Sequence, residues 1–308
     1  MKLQDQTILI TGGAGFLGSV VVSKLVERGV AKAKIRRPRS REFDLRRWSD
    51  CQTVVRGVDL VIHLAARVGG IGYNQTHAGE LFYDNLMMST QMMEAARQAG
   101  VKKYIAIGTV CAYPKFTPAP FREESLWDGY PEETNAPYGL AKKMALVQAQ
   151  SYRQQYGFNA IYLLLVNLYG PGDNFDLISS HVIPALIRKV QEAKMKNLPF
   201  VEVWGTGRAT REFLYVNDAA AGIIQATEMY DGAEPVNLGS GREISIEDLI
   251  TTICRLMNYR GEIRWNLDKP DGQPRRRLDI ARAKKFFNYA PTTDLETGLK
   301  KTIKWYLR

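Results

Sequence analysis

The chain has 308 residues, of which 45% are hydrophobic and 24% are charged, and its formal net charge is +10. This composition is typical of a globular protein with one large or two coupled domains. Three cysteines without close pairing argue against a disulfide framework and favour a reducing, cytoplasmic compartment. No apolar run approaches the roughly 20 residues that span a bilayer, so no membrane partner is expected. The basic residues accompany no nucleic-acid motif, and no nucleic-acid partner is expected either.

A glycine-rich turn follows the first apolar stretch. Residues 6–11 predict a strand, and the pattern after residue 18 predicts a helix that ends near residue 29. A strand, a glycine turn and a helix form the context that a dinucleotide fingerprint requires, although a turn without a ligand is the alternative. The spacing is GxxGxxG. We expect Gly12 to permit the tight turn, Gly15 to let the backbone approach a pyrophosphate, and Gly18 to let helix and strand pack closely. The predicted cofactor-binding residues here are Gly12, Gly15, Phe16, Leu17 and Gly18.

The second predicted strand, residues 33–37, ends where an NAD-preferring site would carry Asp or Glu for the ribose hydroxyls. This chain has Arg36 and Arg37 there, and Arg39 follows. Guanidinium groups suit a 2′-phosphate, so we predict that the cofactor is NADP(H). A solvated basic loop is the alternative interpretation, and Asp44 lies late for a ribose ligand.

Strands and helices continue to alternate. Residues 59–66 predict a third strand that ends in the small Ala65 and Ala66, residues 79–98 predict a helix, and residues 101–108 predict a fourth strand. This alternation predicts an α/β fold with a Rossmann-type, doubly wound parallel sheet. Ligands bind such sheets at the carboxyl ends of the strands, where Gly12, Ala65 and Thr109 all fall.

The stretch from Thr109 to Lys142 contains the strongest candidates for chemistry. If the backbone stays extended, Thr109 and Cys111 share one face of the strand. Tyr138 and Lys142 are four residues apart, which places them on one face of a helix. An ammonium near a phenol lowers the pKa of the phenol from about 10, so this tyrosine is expected to exchange protons near neutral pH. A hydroxyl, a tyrosine and a lysine suit redox chemistry at a carbonyl.

The chain resembles the extended short-chain dehydrogenase/reductase family of nucleotide-sugar enzymes over nearly its whole length. Within that family it is most similar to the group that converts GDP-4-keto-6-deoxy-D-mannose to GDP-L-fucose by 3,5-epimerisation and 4-reduction with NADPH. The resemblance rests on residues 63–71 (HLAARVGGI), 111–115 (CAYPK), 134–138 (TNAPY), 167–175 (NLYGPGDNF), 180–186 (SHVIPAL), 203–205 (VWG), 211–214 (REFL) and 269–272 (KPDG).

The resemblance implies catalytic roles for five residues. Thr109 hydrogen-bonds the C4 oxygen, Tyr138 protonates it, and Lys142 orders the cofactor ribose. Cys111 and His181 match the pair that performs the epimerisations. The resemblance also implies that Asn167 and Leu168 line the nicotinamide side of the site. The residues that it places on the GDP-sugar side are Val182, Leu186, Val203, Trp204, Arg211 and Lys269.

The resemblance also implies a homodimer, a GDP-linked keto-sugar substrate and no metal. We expect an NADP-binding Rossmann domain at residues 1–168, with a return segment near 210–240. A smaller, interleaved α/β lobe that binds the nucleotide sugar is expected at 169–209 and 241–308. Arg211 and Lys269, with the basic run 275–277, are candidates for holding a substrate pyrophosphate; solvated surface arginines are the alternative for the run.

The chemistry of the site residues agrees with this reaction. A C4 ketone acidifies the neighbouring C–H bonds, and Cys and His exchange protons near neutral pH. A 4,6-dehydratase would carry an Asp-Glu pair after the catalytic Thr, and a simple 4-epimerase would need neither Cys111 nor His181. Thr109-Val110-Cys111 replaces the usual Ser-Ser-Cys, and the glycine turn lacks a charged residue. Another nucleotide-linked 4-keto sugar, such as a GDP-heptose, and a non-catalytic dinucleotide sensor therefore remain as alternatives.

Overall fold

The computed structural model describes residues 1–269 and 271–308; Pro270, inside the 269–272 motif, lies outside this range. In the described part of the chain the strands are β1 (Ile8–Thr11), β2 (Ile35–Arg36), β3 (Leu60–His63), β4 (Lys103–Thr109), β5 (Ala160–Leu165), β6 (Asn167–Tyr169), β7 (Phe200–Trp204), β8 (Thr210–Tyr215), β9 (Val236–Leu238), β10 (Glu243–Ser245) and β11 (Glu262–Asn266). The helices are α1 (Phe16–Glu27), α2 (Trp48–Val54), α3 (Ile71–Thr76), α4 (Ala78–Gln98), α5 (Ala136–Tyr156), α6 (Val182–Met195), α7 (Val216–Met229), α8 (Ile246–Leu256), α9 (Ala281–Phe287) and α10 (Leu295–Tyr306).

The central sheet has six parallel strands in the order β2-β1-β3-β4-β5-β9. All residues of β1, β3, β4 and β5 are buried, because helices cover both faces of the sheet. The strand order reverses between β1 and β3. Ligand crevices form at such a reversal, at the carboxyl ends of the strands. The predicted doubly wound α/β fold is confirmed.

Two smaller sheets flank this crevice. One contains β10, β8 and β6, and the other pairs β11 with β7. Their helices, α6, α8 and α10, pack around a separate hydrophobic core. After β6, β7 and β8 the chain returns to the central sheet through α7 and β9, so the smaller lobe interleaves with the larger one. The domain boundaries given above remain a prediction.

The second strand is shorter than predicted. A 3₁₀ turn occupies Lys32–Lys34, and only Ile35–Arg36 pairs with β1. The backbone therefore turns away from the sheet before Arg37, which changes where the three arginines lie. Among the described residues no helix is long and apolar enough to cross a membrane.

Candidate active site

A cavity of about 1180 Å³ runs from the carboxyl ends of the central sheet to the smaller lobe. Its walls come from the glycine turn, the ends of β3, β4 and β5, helix α5 and the first turn of α6. The predicted site residues that line it are Gly12, Gly15, Phe16, Leu17, Gly18, Arg39, Ala65, Ala66, Thr109, Cys111, Tyr138, Lys142, Asn167, Leu168, His181, Val182, Leu186, Val203, Trp204 and Arg211. One continuous cavity thus brings together residues from most of the chain.

The glycine turn has the backbone geometry that a dinucleotide site needs. Gly12 adopts φ +69°, and a β-carbon on it would lie 2.9 Å from the amide nitrogen of Ala65. A β-carbon on Gly18 would collide with the carbonyl oxygen of Gly12, so α1 packs against the turn only with glycine there. Helix α1 begins after Gly15, and no side chain caps its first amides. These residues fit a pyrophosphate group, because free N–H groups at a helix start attract anions.

The three predicted arginines have different surroundings. Arg39 is exposed and lines the cavity. Arg36 instead donates to the carbonyl of Arg56 and lies outside the cavity lining. Arg37 also lies outside the lining; a β-carbon on Gly13 would lie 2.8 Å from its β-carbon. Of the three, the structure brings Arg39 alone to the cavity.

Arg46 lines the cavity as well, and the sequence reasoning missed it. It donates to Asp44 Oδ1 at 2.9 Å and to Asp84 Oδ1 at 2.9 Å, and Asp84 also accepts from Arg67 at 3.0 Å. Hydrogen bonds from Arg46 lower the pKa of Asp44 to about 2. Asp44 is therefore an ionised partner of Arg46, and the close DxR spacing was the only signal for this network.

Thr109 ends β4, and the backbone does not stay extended beyond it. A 3₁₀ turn covers Val110–Ala112, and the amide of Cys111 donates to Thr109 Oγ1 at 3.2 Å. The period-two argument that placed both side chains on one face was therefore wrong. The turn nevertheless leaves both side chains in the cavity wall.

Tyr138 and Lys142 lie one turn apart on α5 and both line the cavity. Burial raises the pKa of Tyr138 above its ordinary value; the charge of Cys111 adds to this effect, and Thr109 opposes it. Burial also lowers the pKa of Lys142, which is 2% exposed, to about 8. The prediction that Lys142 lowers the pKa of Tyr138 is wrong for this structure, because desolvation dominates at both groups.

Cys111 and His181 belong to separate segments of the chain, and both line the cavity. His181 precedes α6 and lines the cavity, and desolvation by the surrounding cavity walls, together with the charge of Arg276, lowers its pKa. Cys111 is half-buried, whereas Cys51 and Cys254 are buried away from the cavity. Burial raises the pKa of Cys51 to about 12 and that of Cys254 to about 11, which makes both of these thiols unreactive.

Arg211 is buried, and its guanidinium is partly occupied by the protein. It donates to the carbonyls of Thr210 at 2.7 Å and Asp271 at 2.7 Å, and also to Gln273. Burial lowers the pKa of Arg211 to about 10, and the charge of Arg276 contributes. Arg211 still lines the cavity and offers its remaining N–H groups to a ligand.

The other basic candidates divide between the cavity and the surface. Lys269 is not in the cavity lining, although its ammonium lies 5.2 Å from the ring centre of Trp204. Lys189, which the sequence reasoning missed, lines the cavity and lies 5.5 Å from the same ring. Arg276 lines the cavity, whereas Arg275 pairs with Glu243 at the surface.

Buried amides form a further part of the wall that the sequence reasoning missed. Asn74 donates to Asn135 Oδ1 at 3.0 Å, and Asn135 donates to Glu132. Both asparagines line the cavity and are nearly fully buried. The chain of bonds fixes the start of α5, and with it Tyr138. Asn135 lies within the TNAPY segment, but nothing in the sequence indicated its partner Asn74.

The fold and the cavity define a dinucleotide-binding α/β enzyme with a Thr–Tyr–Lys set. The NAD dependent epimerase/dehydratase family matches residues 8–239. The chain belongs to this family, an extended short-chain dehydrogenase/reductase family whose members use a nicotinamide cofactor.

Relatives extend the similarity over the entire chain. GDP-L-fucose synthase 1 from Arabidopsis thaliana is 38% identical over 310 residues, covering 100% of this chain and 95% of the relative. A GDP-6-OMe-4-keto-L-xylo-heptose reductase from C. jejuni superposes with a TM-score of 0.91 at 27% identity, covering 99% and 98% of the two chains. A GDP-L-fucose synthetase from Naegleria fowleri bound to NADP superposes with a TM-score of 0.86 at 29% identity, covering 99% and 94%.

Proposed function

We propose that this protein converts GDP-4-keto-6-deoxy-D-mannose to GDP-L-fucose by 3,5-epimerisation and NADPH-dependent 4-reduction. The observation that carries the proposal is the presence of Cys111 and His181 in the same cavity as Thr109, Tyr138 and Lys142. The full-length similarity to a protein named GDP-L-fucose synthase supports the substrate.

The epimerisations need a base and an acid on opposite sides of the sugar ring. One of Cys111 and His181 removes the proton beside the C4 ketone, and the C–H electron pair moves to the C4 oxygen. Thr109 and Tyr138 hydrogen-bond that oxygen and stabilise the enolate. The other member of the pair returns a proton to the opposite face, which inverts the carbon.

Reduction follows at C4. Bound NADPH supplies the hydride. Tyr138 gives its phenolic proton to the C4 oxygen, and its raised pKa keeps that proton in place until the oxygen becomes basic. Lys142 lies one helical turn away, where its ammonium would hold the cofactor ribose.

We propose NADP(H) rather than NAD(H) as the cofactor. Arg39 supports this preference, because an exposed guanidinium at the cavity edge suits a 2′-phosphate. Arg46 is a weaker candidate for binding that phosphate, because its guanidinium already pairs with the carboxylates of Asp44 and Asp84. The expected homodimer and the cytoplasmic location remain predictions.

The deciding experiment is NADPH oxidation with GDP-4-keto-6-deoxy-D-mannose, with the sugar product identified by NMR. We expect GDP-L-fucose from the wild type. The Cys111→Ser and His181→Ala variants should lose inversion by about 10²-fold or more while still reducing the ketone. Unchanged product stereochemistry in both variants would contradict the proposal.

A GDP-linked 4-keto-heptose is the second candidate substrate. The observation that favours it is the close superposition on a GDP-heptose reductase. That substrate would turn over with the same Thr109, Tyr138 and Lys142. Turnover of a keto-heptose, with no turnover of the deoxyhexose, would select it. Binding of NADPH without turnover of either sugar would instead support a sensor.

A further inference from the structure

The Arg276 guanidinium contacts the Cys111 thiol. Its Nη1 lies 3.5 Å from Cys111 Sγ, and the two residues are 165 positions apart in the chain. Arg276 is 7% exposed, and its Nε donates to Gln273 Oε1 at 2.9 Å. Gln273 is itself buried and donates to the carbonyl of Lys115 at 2.7 Å. The hydrogen bond from Arg276 to the buried Gln273 therefore orients the guanidinium toward the sulfur.

No carboxylate neutralises Arg276 within residues 1–269 and 271–308: none of the ion pairs found there includes it. The buried Arg211 lies nearby, so two cations share this part of the cavity floor. The charge of Arg276 lowers the pKa values of both Arg211 and His181. A region with excess positive charge stabilises an anion, and the Cys111 sulfur lies within it.

Other charged and titratable groups face the same region. Tyr138 lies close to Cys111; burial raises the pKa of Tyr138, and the charge of Cys111 adds to that increase. Asp271 and Glu132 act on Arg211 and partly offset its charge. Of these groups, Arg276 is the one whose side chain contacts the sulfur directly.

We infer that Arg276 is a positioning residue that holds Cys111 as a thiolate and so makes Cys111 the base of the epimerisation. This inference rests on the proposed function. The C–H bond beside the ketone breaks, an S–H bond forms, and the electron pair moves to the C4 oxygen. His181, which opens into the cavity and takes a proton from solvent, delivers that proton to the opposite face. The thiol then returns its proton to solvent, so no oxidant or reductant is consumed.

The test is the pH dependence of Cys111 alkylation by iodoacetamide in the full-length protein with NADP⁺, followed by mass spectrometry. In the wild type we expect fast alkylation at pH 7, because the guanidinium in contact with the sulfur favours the thiolate. Arg276→Gln should slow alkylation at pH 7 about 10-fold. This change corresponds to a displacement of the alkylation profile by about one pH unit toward higher pH. Arg276→Lys should restore most of the rate, because it keeps the charge. Arg275→Gln, which alters an exposed neighbour, is the matched control and should match the wild type.

A second variant covers the case in which Arg276→Gln does not fold. Gln273→Glu keeps Arg276 but adds a carboxylate beside its guanidinium, and it should slow alkylation in the same direction. An unchanged pH profile in whichever of these two variants folds would overturn the inference, even if the wild type makes GDP-L-fucose. An altered profile without any GDP-L-fucose would instead leave the inference standing and remove the proposed function.

Exchange of solvent deuterium into C3 and C5 of the keto-sugar, with NADP⁺ bound so that reduction cannot follow, gives the catalytic readout. Arg276→Gln should lower this exchange rate at pH 7 about 10-fold and shift its acid limb to higher pH. A rise in KM alone, with an unchanged exchange rate at saturation, would show that Arg276 only binds substrate and would contradict the inference.

Discussion

The backbone carbonyl of Cys111 packs against the α-carbon of Gly139, and a β-carbon at Gly139 would collide with it. Gly139 directly follows Tyr138, so this contact sets the distance between the helix that carries Tyr138 and the turn that carries Cys111. The groups for epimerisation and reduction therefore share one packing contact that only glycine permits.

Gly139→Ala should impair both half-reactions. The added methyl pushes α5 away from the turn, and a displacement near 1 Å can cost about 100-fold in rate. We also expect a loss of about 1–3 kcal/mol in the free energy of unfolding. Steady-state kinetics and urea unfolding measure the two effects. Gly79→Ala is the control, because a β-carbon there meets no atom within 4 Å; wild-type rates in Gly139→Ala would contradict the packing argument.

Lys142 predicts a pH dependence of cofactor binding. Its pKa of about 8 reflects burial, and a bound anionic dinucleotide should raise that pKa by favouring the ammonium. Binding then takes up a proton above pH 8, so NADPH affinity should fall as pH rises from 8 to 10, by up to about 10-fold per unit. Fluorescence titration measures the Kd. The Lys142→Met variant should bind NADPH weakly, with an affinity that does not change with pH. A wild-type affinity that is independent of pH would contradict the prediction.

The arginines predict a sharp contrast in cofactor selectivity. Arg39→Ala should weaken NADPH by about 10- to 100-fold, the value of a lost charge-assisted hydrogen bond, and leave NADH nearly unchanged. Arg36→Ala is the matched control and should have little effect, because Arg36 binds the Arg56 carbonyl instead. The measurement is the ratio of kcat/KM with NADPH to kcat/KM with NADH in each variant. Equal ratios in wild type and Arg39→Ala would argue against a 2′-phosphate contact there.

Glu212, on β8, connects two later segments of the chain. It is fully buried and accepts from the amides of Gly241 and Leu278, each at 2.6 Å. Glu212→Ala leaves these buried donors unpaired and should lower the free energy of unfolding by about 2–5 kcal/mol. Denaturant unfolding measures the loss, and Glu247→Ala, at an exposed position, is the control.

The pKa of the Glu212 carboxyl determines how the loss of unfolding free energy in Glu212→Ala varies with pH. Burial raises the pKa of Glu212 to about 7, above the unfolded value near 4.5, so the folded state binds more protons between these values. The stabilising contribution of Glu212 is then full below about pH 4.5 and declines as pH rises through 7. The gap between wild type and Glu212→Ala should shrink from pH 5 to pH 8; a widening gap would contradict the assigned direction.

The sequence by itself determined the features that depend on neighbours along the chain. The alternation of strands and helices predicted the parallel sheet, the glycine spacing predicted the turn before α1, and the four-residue spacing placed Tyr138 and Lys142 on one face. These features follow from local backbone geometry, which repeats every 2 or 3.6 residues.

Tertiary structure decided what depends on residues distant in the chain. Sequence spacing did not show that Arg276 reaches Cys111, that Arg36 turns away from the cavity while Arg39 lines it, or that the amide of Cys111 binds Thr109. The pKa of Tyr138 rises rather than falls for the same reason: burial removes water from the phenol, and burial arises when separate segments pack together.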